Sequence, residues 1–112
     1  MIWPKSLSNI AYVDADAVDL IDFDVPVGME FVITQIQLYK DGSVDYTNMP
    51  EVLISVDGEE QDVNLSLLLL TGLASNLKYT ARKNFKITVY APGLTVGVYV
   101  EGYLQEVKKN AA

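Results

Sequence analysis

Histidine and cysteine are both absent from this chain of 112 residues. Without cysteine there is no disulfide framework and no thiolate metal site. Without histidine the usual general base, the usual zinc ligand and every Ser-His or Cys-His nucleophile pair are gone. No apolar run approaches the roughly 20 residues that cross a bilayer as a helix. The opening MIWPKSLSNI has one Lys and an early Pro4 with no apolar stretch behind it. No targeting segment is therefore expected, and a protein made and kept in cytosol is. Asn64-Leu65-Ser66 fits a glycosylation sequon, which in a chain that is not secreted is a chance match. Linkers, internal repeats and low-complexity tracts are also missing, which leaves one domain over residues 1–112, large enough to bury a working core without staples.

Basic residues are scarce, 8 against 15 acidic ones for a net charge of −7, and they are unevenly placed. Residues 1–62 carry 2 basic and 13 acidic side chains, whereas residues 63–112 carry 6 and 2. A chain without a strongly basic face is not expected to bind nucleic acid. The split permits head-to-tail contacts in which the acidic part of one copy meets the basic part of another. The alternative is a fold that mixes the two halves in space.

What is present is period-two alternation. In LIDFDVP, Ile21, Phe23 and Val25 share one face, opposite Asp22 and Asp24, and Pro26 and Gly28 mark a turn. MEFVITQIQLYK has a mixed phase. Phe31 and Ile33 oppose Val32, Thr34, Ile36 and Leu38, so either both faces are covered or a bulge near Thr34-Gln35 swaps them. EVLISV turns Val52, Ile54 and Val56 one way, and Asp57-Gly58 is a hairpin signal with a return strand from about Gln61. NFKITVY puts Phe85, Ile87 and Val89 inward, Ala91-Pro92-Gly93 turns the chain, and LTVGVYVEGYLQEV puts Val96, Val98, Val100 and Leu104 inward. Eight or nine short strands with no long helical period predict an all-β, antiparallel sandwich or barrel. A short N-terminal arm (about 1–8) and a C-terminal tail (about 107–112) are expected outside the sheets.

The stretch FDVPVGMEFVITQIQL resembles strand–turn–strand segments of small viral and bacterial jelly rolls, and FKITVYAPGLTVGVYVEGYLQ resembles their closing hairpin. With the size and the missing His and Cys, the chain is similar to the capsid cement (decoration) proteins of tailed bacteriophages. The resemblance implies a jelly roll of about eight strands on the outer surface of a phage head, clamping neighbouring subunits of the major capsid protein. It carries over no catalytic residue. The chain is accordingly expected to be a virion component made in the host cytoplasm, a homo-dimer or homo-trimer, with no cofactor or metal and no nucleic-acid or membrane contact.

Several clusters compete for a role. Asp14, Asp16, Asp19, Asp22 and Asp24 have a spacing that a hard cation such as calcium could use, but the run lacks the Gly and closing Glu of an EF-hand loop. A solvated edge strand is the plainer reading. Two close carboxylates could run glycoside hydrolysis, although a small domain of short strands leaves little room for a cleft. Tyr90, Tyr99 and Tyr103 lie opposite in phase to the inward residues, as an outward patch that stacks sugar rings, anchors a protein contact or only pairs across strands. Asn48, Asn76 and Asn84 would supply the amides of a carbohydrate-binding module. Arg82-Lys83-Asn84-Phe85-Lys86 is a solvated loop or a salt-sensitive contact to an acidic partner. The only Trp, Trp3, falls in the expected arm and is a residue type favoured at interface anchors.

The run Leu67 to Leu70 is the hardest to hide. As a strand, Leu65, Leu67 and Leu69 face one way and Leu68 and Leu70 the other. As a single helical turn near 66–72, with Ser66 as cap and Gly72 as stop, Leu67 and Leu70 meet on one side. Each leucine left in water forfeits roughly 1.5–3 kcal/mol of burial, so a partner surface is expected over the run, unless a thick core takes it beneath a loop. The residues expected to meet a partner are Trp3, Leu68, Leu70, Arg82, Lys83, Tyr99 and Tyr103.

Overall fold

The computed structural model describes residues 1–41, 51–61 and 73–107, with 73–78 described for the backbone alone. Eight strands follow in order: β1 (Ile2–Val13), β2 (Val18–Asp24), β3 (Met29–Asp41), β4 (Glu51–Val56), β5 (Glu59–Glu60), β6 (Leu73–Ala81), β7 (Asn84–Tyr90) and β8 (Leu94–Glu106). They form two four-stranded sheets, ordered β1-β8-β3-β6 and β2-β7-β4-β5. Every pairing is antiparallel.

The order has a simple origin. β1 pairs with β8, β2 with β7, β3 with β6 and β4 with β5, so the chain is one long hairpin whose first half lies on its second. Rolling that hairpin adds the pairs β3–β8 and β4–β7. This is the connectivity of a jelly roll, two Greek keys in a double sheet. It also decides the fate of the charge split. Apart from the two-residue β5, which pairs with β4, the strands of the acidic first half are laid against strands of the more basic second half, so the halves interleave and form no opposite poles. Lys86 Nζ lies 3.8 Å from Asp19 and Arg82 Nε 3.3 Å from Glu30. The head-to-tail expectation loses its basis.

Alternation places the core as the sequence predicts. Phe85, Ile87, Val89, Val96, Val98, Val100, Val52 and Ile54 are all buried. The mixed phase of β3 resolves into a bulge: the register shifts between Ile33 and Gln35 against both β6 and β8. Phe31 and Ile33 point inward before it, and Ile36 and Leu38 after it. Thr34, the extra residue, is exposed, and its hydroxyl donates to the Glu101 carbonyl at 3.1 Å. A second bulge in β2, between Asp19 and Ile21, lets the consecutive Leu20 and Ile21 both be buried. Between the sheets, the Phe31 ring meets Phe23 and Phe85 edge-on, at centroid distances of 5.3 and 6.0 Å. Such T-shaped contacts are the favoured aromatic geometry.

Two expectations need correction. The first residues are not a free arm: β1 starts at Ile2 and pairs along its length with β8, Trp3 opposite Leu104. The return strand after Asp57-Gly58 starts at Glu59, directly opposite Val56. Positive φ at both turn residues, 54° and 87°, makes this the two-residue turn whose twist matches a hairpin. At the other terminus β8 ends at Glu106, and Val107 beyond it donates its N–H to the Gly28 carbonyl at 3.0 Å. The leucine run and the proposed turn at 66–72 lie outside the described residues, as do 108–112.

Candidate functional site

Strand directions bring one set of turns to a single end of the sandwich. The start of β1, the β2–β3 turn, the β4–β5 turn, the β6–β7 turn and the end of β8 all meet there, as the registers Ile2↔Gln105, Glu30↔Gln105, Asp24↔Asn84 and Val56↔Phe85 require. Four of the seven residues expected at an interface, Trp3, Arg82, Lys83 and Tyr103, belong to this end. Tyr99 lies midway along β8, and Leu68 and Leu70 fall outside the described residues.

The β6–β7 turn is the hub. Its successive amides Arg82, Lys83 and Asn84 all donate to the Asp57 carboxylate, at 3.0, 2.6 and 3.1 Å to Oδ1. Consecutive backbone N–H groups form a nest that suits an anion, and here the chain fills the nest with its own side chain. Asp57 N–H returns the bond to the Asn84 carbonyl at 2.8 Å, and the Lys83 carbonyl accepts from Val25 N–H at 2.9 Å. Burial raises the pKa of the Asp57 carboxyl, but the three donated hydrogen bonds and the nearby Lys83 charge outweigh it, and the pKa lies below its ordinary value.

The basic cluster is largely committed to the molecule itself. Arg82 reaches Glu30, whose other oxygen accepts from Gln105 Nε2. Asn84 Nδ2 donates to both Asp22 and Asp24 at 2.8 and 3.0 Å, so it does not offer its amide to a sugar. Asp19 accepts from the Thr88 hydroxyl at 2.6 Å. These three aspartates stand on β2, an edge strand, where charges discourage sheet-to-sheet pairing. Asp14 and Asp16 are exposed between β1 and β2. Among the described residues no group of three or more Asp or Glu is arranged to hold a metal ion. Asn48 and the Asn76 side chain lie outside what is described.

Against this rigid polar network the same end presents apolar tips. Met1, Ile2 and Val27 are exposed. Trp3 shares the inward phase of Lys5 and Leu7, in the register row Trp3–Leu104–Phe31–Ala81, yet remains 37% exposed at the mouth of the core. Lys5, one step inward, lays its ammonium over the Phe23 ring at 5.2 Å. The end therefore combines a hydrogen-bonded set of turns with an exposed indole, two aliphatic side chains and a methionine.

The tyrosines divide between the sheets. Tyr90 belongs to β7 and Tyr99 and Tyr103 to β8, so the three cannot form one outward patch. Sequence reasoning also missed a second exposed group. Beyond the bulge, Tyr39 turns outward and aligns with Gly97 and Ile10 in one row across β3, β8 and β1. Tyr99 and Tyr12 flank that row. The available signal was the phase switch at Thr34, which moves Tyr39 to the outer face.

No family model matches the sequence, and no curated protein matches it either. A chain in the acidic stable capsid structure of Helicobacter pylori bacteriophage KHP30 superposes with a TM-score of 0.58 at 15% identity, covering 96% of this chain and 94% of that one. The two share a fold over nearly their whole lengths.

Proposed function

We propose that this chain is a non-enzymatic structural protein of a phage particle, which binds the outer surface of the capsid and stabilises contacts between neighbouring subunits of the major capsid protein. The observation that carries the reading is the near-complete mutual coverage with a chain of a phage capsid structure. A jelly roll of the same extent, with no large insertion to build a separate activity, favours the same kind of work. Trp3, Met1, Ile2 and Val27 supply the anchors at the end of the sandwich, with Arg82, Lys83 and Tyr103 around them and Leu68 and Leu70 as further contacts. The mechanism is binding alone. A contact modest in one copy becomes strong when a dimer or trimer grips several subunits at once.

The test is co-sedimentation with purified particles of the phage that encodes the chain. Wild type pellets with them, and Trp3→Ala weakens binding by about tenfold or more while the free protein keeps its strand circular dichroism. A protein that stays in the supernatant at every concentration defeats the reading. So does equal binding by wild type and a combined Trp3→Ala, Val27→Asp variant.

A further inference from the structure

The outer faces of the two sheets differ in charge. On β2, β4 and β5 the outward positions include Asp19, Asp22, Asp24, Glu51 and Glu60, relieved only by Lys86 on β7. The other sheet is different over the half away from Trp3. Three register rows cross β1, β8 and β3 there: Ser8–Tyr99–Gln37, Ile10–Gly97–Tyr39 and Tyr12–Thr95–Asp41. Those nine positions carry no Lys or Arg and one acid, Asp41, at the margin.

The middle row is a trough. Gly97 has no side chain, and Ile10 and Tyr39 rise on either side of it; a methyl group placed on Gly97 would touch Tyr39 Cβ at 3.6 Å and Ile10 Cγ1 at 3.7 Å. Tyr99 closes one end. Ile10 is 61% exposed, Tyr12 62%, Tyr39 55% and Tyr99 38%. Together these side chains leave on the order of 500 Å² of mostly apolar surface in water, the size of the largest patch on a typical monomer, which is often functional.

We propose that this face is the contact between two copies of the chain, packed face to face about a twofold axis near Gly97. Charge selects the occupant. A molecule of net charge −7 repels its own copy, and among the described faces this one brings the fewest like charges together. Area agrees: the patch counted on both copies comes to on the order of 1,000 Å², the lower bound for a specific interface. Self-complementarity follows from the relief, because Tyr99 or Tyr12 of one copy is a ridge that fits the trough of the other.

Pairing through the β1 edge, the obvious rival, is obstructed. In an antiparallel pair, alternate residues direct their N–H and C=O to the same side. Pro4 has no N–H and so belongs to the set facing away from β8. Ile10 has the same parity, and its N–H is already taken by Asn9 Oδ1 at 2.9 Å. Two donors are thus missing from the free edge, whereas the face is open.

Sedimentation equilibrium tests the assignment. At about 100 μM the wild type runs at twice the monomer mass. Ile10→Glu and Tyr39→Ser each weaken the dimer by about tenfold or more and leave the thermal melt of the fold in place. Leu53→Glu, on the outer face of the opposite sheet, leaves the dimer intact. Raising NaCl screens the repulsion between copies, so the dimer holds or tightens. A wild-type monomer, a dimer indifferent to Ile10 and Tyr39, a loss with Leu53→Glu as great as with Tyr39→Ser, or dissociation by salt would each overturn the inference. The contact is separable from particle binding: a monomer that still pellets with particles ends this inference alone, and a dimer that never pellets ends the proposed function alone.

Discussion

Lys83 N–H donates to Asp57 Oδ1 at 2.6 Å, joining two turns 26 residues apart in sequence. The neighbouring amides of Arg82 and Asn84 aim at the same oxygen, so one carboxylate closes the β4–β5 turn onto the β6–β7 turn. Asp57 also sits at φ +54°, where a short polar side chain is tolerated better than a methyl. Asp57→Ala removes the acceptor and adds backbone strain. We expect a loss of about 2 kcal/mol, reduced from the sum of the parts because the site is open to water. Asp57→Asn keeps the backbone preference and one acceptor oxygen, and should lose about half as much. Urea unfolding of the three proteins reads both values.

The same carboxylate sets a pH dependence. Its pKa is lowered in the folded chain from 3.8, so the unfolded state binds the proton first as pH falls. The stabilisation is therefore fully present above the unfolded value and is lost as pH drops through the folded one, below 3.8. The stability gap between wild type and Asp57→Asn should be constant from pH 7 to about 5 and narrow progressively as pH falls below 3.8. A gap that persists undiminished at the acid end would mean that the charge contributes nothing.

Two glycines on β8 should respond in opposite ways to the same methyl group. At Gly102, opposite the last residue before the bulge, an alanine Cβ would overlap the Val32 carbonyl oxygen and press on Phe31 Cε1 at 3.0 Å. The obstacle is backbone in a central strand pair and cannot yield cheaply. Gly102→Ala should cost about 3 kcal/mol or more. At Gly97 the added methyl meets side chains at ordinary contact distance and φ is not in the left-handed region. Gly97→Ala should be neutral or stabilise by up to about 1 kcal/mol, since glycine is a poor strand residue. Thermal melts of both variants decide it.

Local patterns were legible where alternation alone decides the outcome. Phe85, Ile87 and Val89 need only their spacing to declare a buried face, whereas the conflicting phases of Ile33 and Ile36 left two explanations, both faces covered or a bulge near Thr34-Gln35, and only the register decides for the bulge. The site was less legible because its relations are long-range. Trp3 reads as part of an arm when IWPKSLSN is taken alone, since only β8, nearly the whole chain away, makes a strand of it. Tyr90 and Tyr99 are close in sequence and similar in phase, yet successive strands of a jelly roll change sheets, and phase carries no record of that. The Asp57 hairpin was visible in its Asp-Gly pair, but the three amides that hold the carboxylate come from another turn.

Deleting Thr34 tests the bulge directly. Without the extra residue, either Ile36 and Leu38 or Phe31 and Ile33 must turn outward, because one step in a strand exchanges its faces. Four large side chains, all buried, cannot then share one core. The deletion should abolish cooperative unfolding, whereas Thr34→Ala, which loses only the hydroxyl bond to the Glu101 carbonyl, should cost about 1 kcal/mol or less. Far-ultraviolet circular dichroism during a melt distinguishes the two outcomes.

The β1 edge supplies the last test. β1 runs Ile2–Val13 at the margin of its sheet with Lys5 as its only charged residue, a length and composition that invite pairing with other chains. Pro4 withholds one donor, and Asn9 occupies another while its Nδ2 donates to the Leu20 carbonyl at 3.0 Å, tying β1 to the neighbouring edge β2 of the opposite sheet. Asn9→Ala removes both bonds and frees the Ile10 N–H. It should lower stability by about 1–2 kcal/mol and shorten the lag before aggregation on gentle heating. Pro4→Ala alone should change stability little but add to the effect, because it restores the other donor on the same side. If the double variant stays as soluble as the wild type under those conditions, edge protection is not the work of these two residues.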